Sequence, residues 1–285
     1  MFFIRFISRL PFPLVYLLSN CIAFVMGTFM RYRRSVIMEN LSICFPEKSL
    51  LEKYVIQKKF YRNLADVGLE TIKSMTMSVT DMKKRVRIKN LELLKSYIDK
   101  EQPLILLTGH ICNWEWQLAG IASHLNIPIG AVYKPLASEF SEKMMQEIRA
   151  RFGGYPVPMA NTMREILIRK KKGDMFFFGL VADQSPPGYD KKKEWVDFFG
   201  RESAFFAGPE KITEYMNFPV VYSKITRQKR GYYDIEIIPV FDGNRYQKGT
   251  HQILNKFASL LEDNIKIAPS NWLWSHKRWK YSKND

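Results

Sequence analysis

Apolar residues fall along this chain in two rhythms, short unbroken runs and stretches with a helical repeat, and their order predicts the architecture. "PLILLT" (103–108), "PIGAVY" (128–133) and "MFFFGLVA" (175–182) are continuous oily runs of strand length. "PVVYSKITR" and "YYDIEIIPV" flank Gly231 as the arms of a hairpin would. Helical patterns lie between them: one from about Asn113, one through "SEKMMQEIRARF", one opened by Asn161, one near 208–217 and one near 250–266. Such alternation predicts an α/β domain, a mixed sheet flanked by helices. Two further helices lead into it, because Pro46 halts one and Ser49 with Glu52 forms an S-x-x-E capping box for the next. No repeat, low-complexity tract or linker divides the chain after residue 34, so 35–285 is read as one domain.

The first 34 residues follow another pattern. From Leu10 to Met30 the chain carries no charge, and about 20 apolar residues are needed to cross a bilayer as a helix. Residues 1–34 are therefore expected to be an N-terminal membrane anchor. Pro11, Pro13, Ser19 and Asn20 interrupt the run, so a helix that lies on the membrane remains the alternative to one that spans it. A cleaved signal is disfavoured: the run exceeds an ordinary signal core, and no small-x-small cleavage site follows it. Arg31, Arg33 and Arg34 after the run, against Arg5 and Arg9 before it, place the C-terminal domain on the cytoplasmic side.

Composition narrows the partners. With 46% hydrophobic and 14% aromatic residues the chain can bury a full core, and its formal net charge of +16 favours something anionic: nucleic acid, acidic lipid or an acidic carrier protein. Cys21, Cys44 and Cys112 share no metal-type spacing and are odd in number, so neither a disulfide framework nor a metal is expected and a reducing compartment fits. Phosphate-binding glycine loops, G-x-S-x-G and H-E-x-x-H do not occur.

The candidate chemistry sits in "TGHICNWEW". His110 follows a buried strand at its carboxyl end, where open α/β sheets place their sites. A core histidine satisfied by a backbone carbonyl is the plain reading of such a residue, and a partner is what changes it. Glu115 supplies one: with Asn113 capping the next helix, Glu115 falls in its first turn and can turn back toward the imidazole. A carboxylate that orients an imidazole makes it a general base toward a hydroxyl. Asn113 or the backbone near Gly109 would then donate to the developing oxyanion. The rival assigns Cys112 as a thiol nucleophile beside His110, against the commoner role of cysteine as a small buried hydrophobe.

The ordered set "GHICNWE", "VYKPL", "ADQ", "DFFG" and "NWLWSHKRWK", with "ENLSICFPE" near the N-terminus, resembles the bacterial lipid A biosynthesis (lauroyl/myristoyl) acyltransferases over nearly the whole chain. That resemblance implies a glycerolipid-acyltransferase-like fold and an inner-membrane enzyme with no cofactor. It would move an acyl group from acyl carrier protein, or acyl-CoA, to a hydroxyl of a lipid A precursor. The pair of H-x4-D/E falls on His110 and Glu115. The basic residue of the Y-R-P motif falls on Lys134, where lysine replaces the usual arginine and offers a point charge in place of a planar fork. The acid of the D-Q motif falls on Asp183, with Gln184 beside it. An acceptor other than lipid A, a glycerolipid or amino-lipid, is the alternative within the same chemistry.

Asp183 ends an apolar strand, where it either meets a partner or caps the loop "QSPPG". "DFFG" and "AFFAGP" read first as core aromatics and second as an acyl-chain pocket. Trp272, Trp274 and Trp279, among His276, Lys277, Arg278 and Lys280, suit a membrane interface. Lys170–Lys172 and Lys191–Lys193 read as solvated faces that can meet an anionic surface. A basic nucleic-acid-binding protein is the rival of another class, and the uncharged run and lack of a nucleic-acid motif count against it.

Overall fold

A computed structural model describes residues 2–125, 127–187 and 193–283. Helices α1 (Phe2–Arg9) and α2 (Phe12–Phe24) open the chain, and α2 continues as a π-helical turn, Val25–Phe29. The helical stretch Phe12–Phe29 is long and apolar enough to cross a membrane. Helix α3 (Arg34–Cys44) stops just before Pro46. Helix α4 (Leu50–Lys73) starts on the predicted capping box, with Ser49 N donating to Glu52 Oε2 at 2.8 Å and Glu52 N donating to Ser49 Oγ at 3.3 Å. Then follow α5 (Val79–Arg85), β1 (Val86–Ile88), α6 (Leu91–Asp99), β2 (Leu104–Thr108), α7 (Trp114–His124), β3 (Ile129–Tyr133), α8 (Glu139–Ala150) and β4 (Gly154–Pro158). The rest comprises α9 (Thr162–Lys172), β5 (Phe177–Val181), β6 (Lys193–Asp197), β7 (Glu202–Phe206), α10 (Gly208–Met216), β8 (Val220–Lys229), β9 (Tyr232–Phe241) and α11 (Gln252–Ile267).

The main sheet runs β1-β9-β8-β2-β5-β3-β4, parallel at every step except the β8–β9 hairpin. The three oily runs become β2, β5 and β3, buried in the middle of the sheet, as helices on both faces require. Several elements were not foreseen. β1 is three residues with a polar centre, and β4, "GYPVP", carries two prolines that only an edge position tolerates. The β6–β7 hairpin turns through Phe198 to Arg201, so "DFFG" is that turn, and Phe198 is buried against Phe205, Trp272 and Trp279.

One expectation needs correction. The tryptophan-rich tail is core: Trp272, Trp274 and Arg278 are buried, and the tail pairs with the His110 loop through Leu273 N to His110 O at 3.0 Å and Cys112 N to Asn271 O at 2.9 Å. Trp272 and Trp274 are thus inside the protein, Trp279 is half-buried, and only Lys277 and Lys280 of the tail's basic residues are exposed. The N-terminal apolar helix is docked along α4. Tyr16 donates to Glu70 at 3.0 Å, Ser19 donates to the buried Asp66, and a Cβ on Gly27 would stand 3.0 Å from the Tyr61 ring.

Candidate active site

Strand register brings the central pair together. Thr108 of β2 lies opposite Val181 of β5, so His110 and Asp183, each two residues beyond, leave adjacent strand ends side by side. Gly109 permits the approach, because a Cβ there would stand 2.6 Å from Leu261 and 3.4 Å from the Asp183 carboxyl. The imidazole Nδ1 lies 2.6 Å from Asp183 Oδ1, and the backbone N–H of His110 donates to Asp183 Oδ2 at 2.9 Å. Trp272 Nε1 donates to the same Oδ2 at 2.7 Å.

Burial alone would raise the pKa of Asp183, which is 2% exposed. The charge of His110 and the hydrogen bonds from His110 and Trp272 outweigh burial and lower it to about 2. A carboxylate so held keeps the proton of His110 on Nδ1 and leaves Nε2 as the basic nitrogen. Nε2 points outward, 3.3 Å from Gln184 Nε2, and the Trp114 ring meets the imidazole edge-on at 5.0 Å. Behind this constellation Ser185 N donates to His276 Nε2 at 3.1 Å. Burial, joined by Arg278 and His110 and opposed by Asp183, lowers His276 to about 4, so it is a neutral acceptor.

Glu115 does not turn back on the imidazole. Its carboxylate takes both arms of Arg149, Nε at 3.1 Å and Nη2 at 2.8 Å, and the guanidinium lies over the Tyr133 ring. A two-pronged ion pair with an arginine outcompetes a single bond to a neutral ring nitrogen, and Asp183 already occupies Nδ1. Asn113 caps α7 as expected, accepting from Trp116 N at 2.9 Å, but its amide donates to Glu70 at 2.8 Å and the residue is wholly buried. It therefore cannot reach a substrate, and its predicted contact is not met. Cys112 adopts a left-handed φ of 51° that turns the chain into α7 and buries the thiol. Burial pushes that thiol up to about 12, which leaves the nucleophile reading without support. Lys134 is exposed, one residue past β3.

A narrow, mainly apolar cleft of about 470 Å³, including the solvent at its mouth, opens under α7 and is lined by Thr108 and Trp114, which flank the His110 loop. Trp114 and Leu118 roof it, Gly179 and Ala131 floor it, and Glu115 with Arg149 stand on its wall. A second apolar space lies beyond the sheet between Val132, Met159, Phe206 and Ile212. Arg149 and Trp272 were not singled out as site residues from the sequence. Arg149 sits in an ordinary charged helix with no spacing signal, while the tail "NWLW" carries a signal that reads equally as a membrane interface. Among the described residues no group of three or more His, Cys, Asp or Glu side chains is arranged to hold a metal. Of the two lysine tracts, Lys170–Lys172 are exposed at the end of α9, Lys193 lies over the Tyr281 ring, and Lys191 and Lys192 lie outside the described residues.

An imidazole held by a carboxylate at the strand ends, near an apolar cleft, has the chemistry that an acyl group and an alcohol call for, and the sequence comparisons agree. The profile of the bacterial lipid A biosynthesis acyltransferases matches residues 1–281. The chain belongs to that family. It is 23% identical over 274 residues to the lipid A biosynthesis palmitoleoyltransferase of Escherichia coli, covering 95% of this chain and 87% of the relative. Against the lipid A biosynthesis lauroyltransferase of the same organism it is 22% identical over 284 residues, covering 96% and 88%. Against a lipid A biosynthesis acyltransferase of Haemophilus influenzae it is 23% identical over 276 residues, covering 96% and 84%. The protein is thus an acyltransferase of lipid A biosynthesis, acting at the level of its family on a lipid A precursor.

Proposed function

We propose that this acyltransferase moves a fatty acyl group from the thioester of acyl carrier protein to a hydroxyl on a lipid A precursor, with His110 as general base and Asp183 as the residue that orients it. The 2.6 Å contact of Asp183 with His110 Nδ1, on a loop whose flanking Thr108 and Trp114 line the apolar cleft, carries this reading. The acceptor hydroxyl displaces Gln184 from Nε2 and gives its proton to that nitrogen as its oxygen bonds to the thioester carbon. The tetrahedral adduct then breaks its C–S bond, and the imidazolium returns the proton to the departing thiolate. Ester and free thiol are the products. The acyl chain lies in the cavity under α7, and Glu115 acts at one remove by holding Arg149 on the cavity wall. Lys134 meets a phosphate of donor or acceptor.

The net charge of +16 supports an acidic carrier protein as donor. The docked, outwardly apolar N-terminal helices support a place on the inner membrane, with the catalytic domain on its cytoplasmic face. The test is acyl transfer by the purified enzyme in mixed micelles, comparing acyl carrier protein and coenzyme A thioesters and identifying the product by mass spectrometry. Faster turnover with the carrier thioester, an ester added to the lipid A precursor, and loss of roughly two or more orders of magnitude in His110→Ala are expected. An acyl-cysteine at Cys112, or near-normal turnover of His110→Ala, would overturn the mechanism.

A further inference from the structure

Helix α2 and its π-helical continuation run antiparallel to α4. Tyr16 meets Glu70, Ser19 meets Asp66 and Gly27 faces Tyr61, so contacts descend α4 as they ascend the N-terminal helix. Between the two helices, away from the catalytic loop, a cleft of about 1000 Å³ opens, including the solvent at its mouth. Its walls carry Arg34, Lys58 and Arg62 and no carboxylate, together with Tyr54, Asn20 and Phe24. Arg34 is held in place, donating to the Tyr54 hydroxyl at 2.8 Å with its guanidinium 5.0 Å from that ring. Lys58 and Arg62 are one helical turn apart, a spacing at which like charges repel. None of the three forms an ion pair among the described residues, whereas Arg149, Arg169, Arg227 and Arg230 all do.

The surroundings say what kind of anion fits. On one side of the cleft the N-terminal helix exposes Phe24, Phe29 and Met30, and on the other the start of α4 exposes Leu50, Leu51 and Val55. Cations set between two exposed apolar ridges match a molecule with a phosphate and hydrocarbon tails, since neither a free phosphate nor an acidic protein would cover the ridges. The same arrangement bears on how the helix meets the bilayer. A perpendicular span by residues 12–29 would carry the charged face of α4, docked along it, into hydrocarbon at a high cost.

We propose that the cleft between α2 and α4 binds the phosphate headgroup of an anionic membrane phospholipid, with Arg34, Lys58 and Arg62 as its ligands and the N-terminal helix lying in the membrane interface. The site is separate from the acyl-transfer centre. The side of α4 that carries Asn63 and Glu70 reaches that centre instead, through Asn63 to Asn271 and Glu70 to Asn113. Lipid is thus bound along a helix that also supports the catalytic loop.

The test uses the full-length protein and phosphatidylcholine vesicles with and without phosphatidylglycerol. Replacing Arg34, Lys58 and Arg62 with glutamine should weaken binding to the anionic vesicles roughly tenfold or more, while replacing Lys170, Lys171 and Lys172 with glutamine removes the same charge and should cost much less. Acyl transfer in detergent micelles should be kept by both variants, which separates this site from the active site. Glycerol 3-phosphate, as the soluble source of the same chemistry, should not compete with the vesicles. Equal losses in the two triple variants would reduce the cleft to bulk charge, and unchanged binding of the cleft variant would remove it. Competition by glycerol 3-phosphate would overturn the lipid assignment in favour of a soluble phosphate.

Discussion

Asp183 holds Nδ1 of His110 at 2.6 Å across 73 residues of sequence, and accepts from the backbone N–H of the same histidine. Asp183→Asn keeps the shape but can present an N–H to Nδ1 and reverse the tautomer. Turnover should fall by about 10²–10⁴, the scale of general acid–base catalysis. Glu115→Gln should act more weakly on turnover and more on acyl-chain binding, since Glu115 bonds Arg149 on the cavity wall. Steady-state kinetics with two chain lengths would check both, and a larger loss of turnover in Glu115→Gln would return the orienting role to Glu115.

Trp272 supplies one of the bonds that keep Asp183 ionised. In Trp272→Phe the ring remains and the donor is lost, so the acid limb of the pH–rate profile should move upward and turnover should drop about tenfold, the worth of one hydrogen bond to a charged group. Trp272→Ala should also lower stability by about 3–5 kcal/mol. An unchanged pH profile in Trp272→Phe would show that the bond does not tune the acid.

His276 contributes to stability in a defined pH window. Its ordinary value near 6.5 is lowered to about 4 in the fold, so between those values the unfolded chain binds a proton that the native chain refuses. The contribution is fully present above pH 6.5 and is lost as pH falls toward 4, amounting to as much as about 3 kcal/mol. Urea unfolding from pH 7 to 4 should show a steeper decline for the wild type than for His276→Gln.

Glu70 is a wholly buried carboxyl group that accepts from Tyr16, Asn113 and Tyr233 at 3.0, 2.8 and 2.7 Å. Removing it strands the buried Asn113 and Tyr233 donors and the half-buried Tyr16 hydroxyl, so Glu70→Ala should cost about 3–5 kcal/mol in thermal unfolding. Tyr16→Phe, which loses one bond at the seam with α2, should cost about 1 kcal/mol. A silent Glu70→Ala would mean that water replaces the carboxylate.

The elements were legible where the signal is local. Period-two runs and uninterrupted oily stretches mark β2, β3, β5 and the β8–β9 hairpin, and the Ser49–Glu52 box marks the start of α4, because propensity and capping depend on neighbours in the chain. β1 and β4 were not legible, since short edge strands are stabilised by the sheet they join and not by their own composition. His110, Asp183 and Gln184 could be picked out by motif and by position after oily strands. Their association could not, because it comes from the pairing of β2 with β5, a contact of distant segments that register alone decides.

An α/β domain with an apolar N-terminal helix, a histidine at a strand's carboxyl end and an ordered motif set of one acyltransferase family are all written in the local order of residues. Tertiary contacts settle which acid reaches the histidine, that Glu115 belongs to Arg149, and that Trp272 and Trp274 are buried beneath the His110 loop. The reason is one of range. A carboxylate chooses its partner by which donor presents the better geometry in three dimensions, and an indole is buried or exposed according to what packs over it. Spacing along a chain limits both choices to a few ångströms only within a turn or two of helix, and here the deciding contacts join residues 110 with 183, 115 with 149 and 183 with 272.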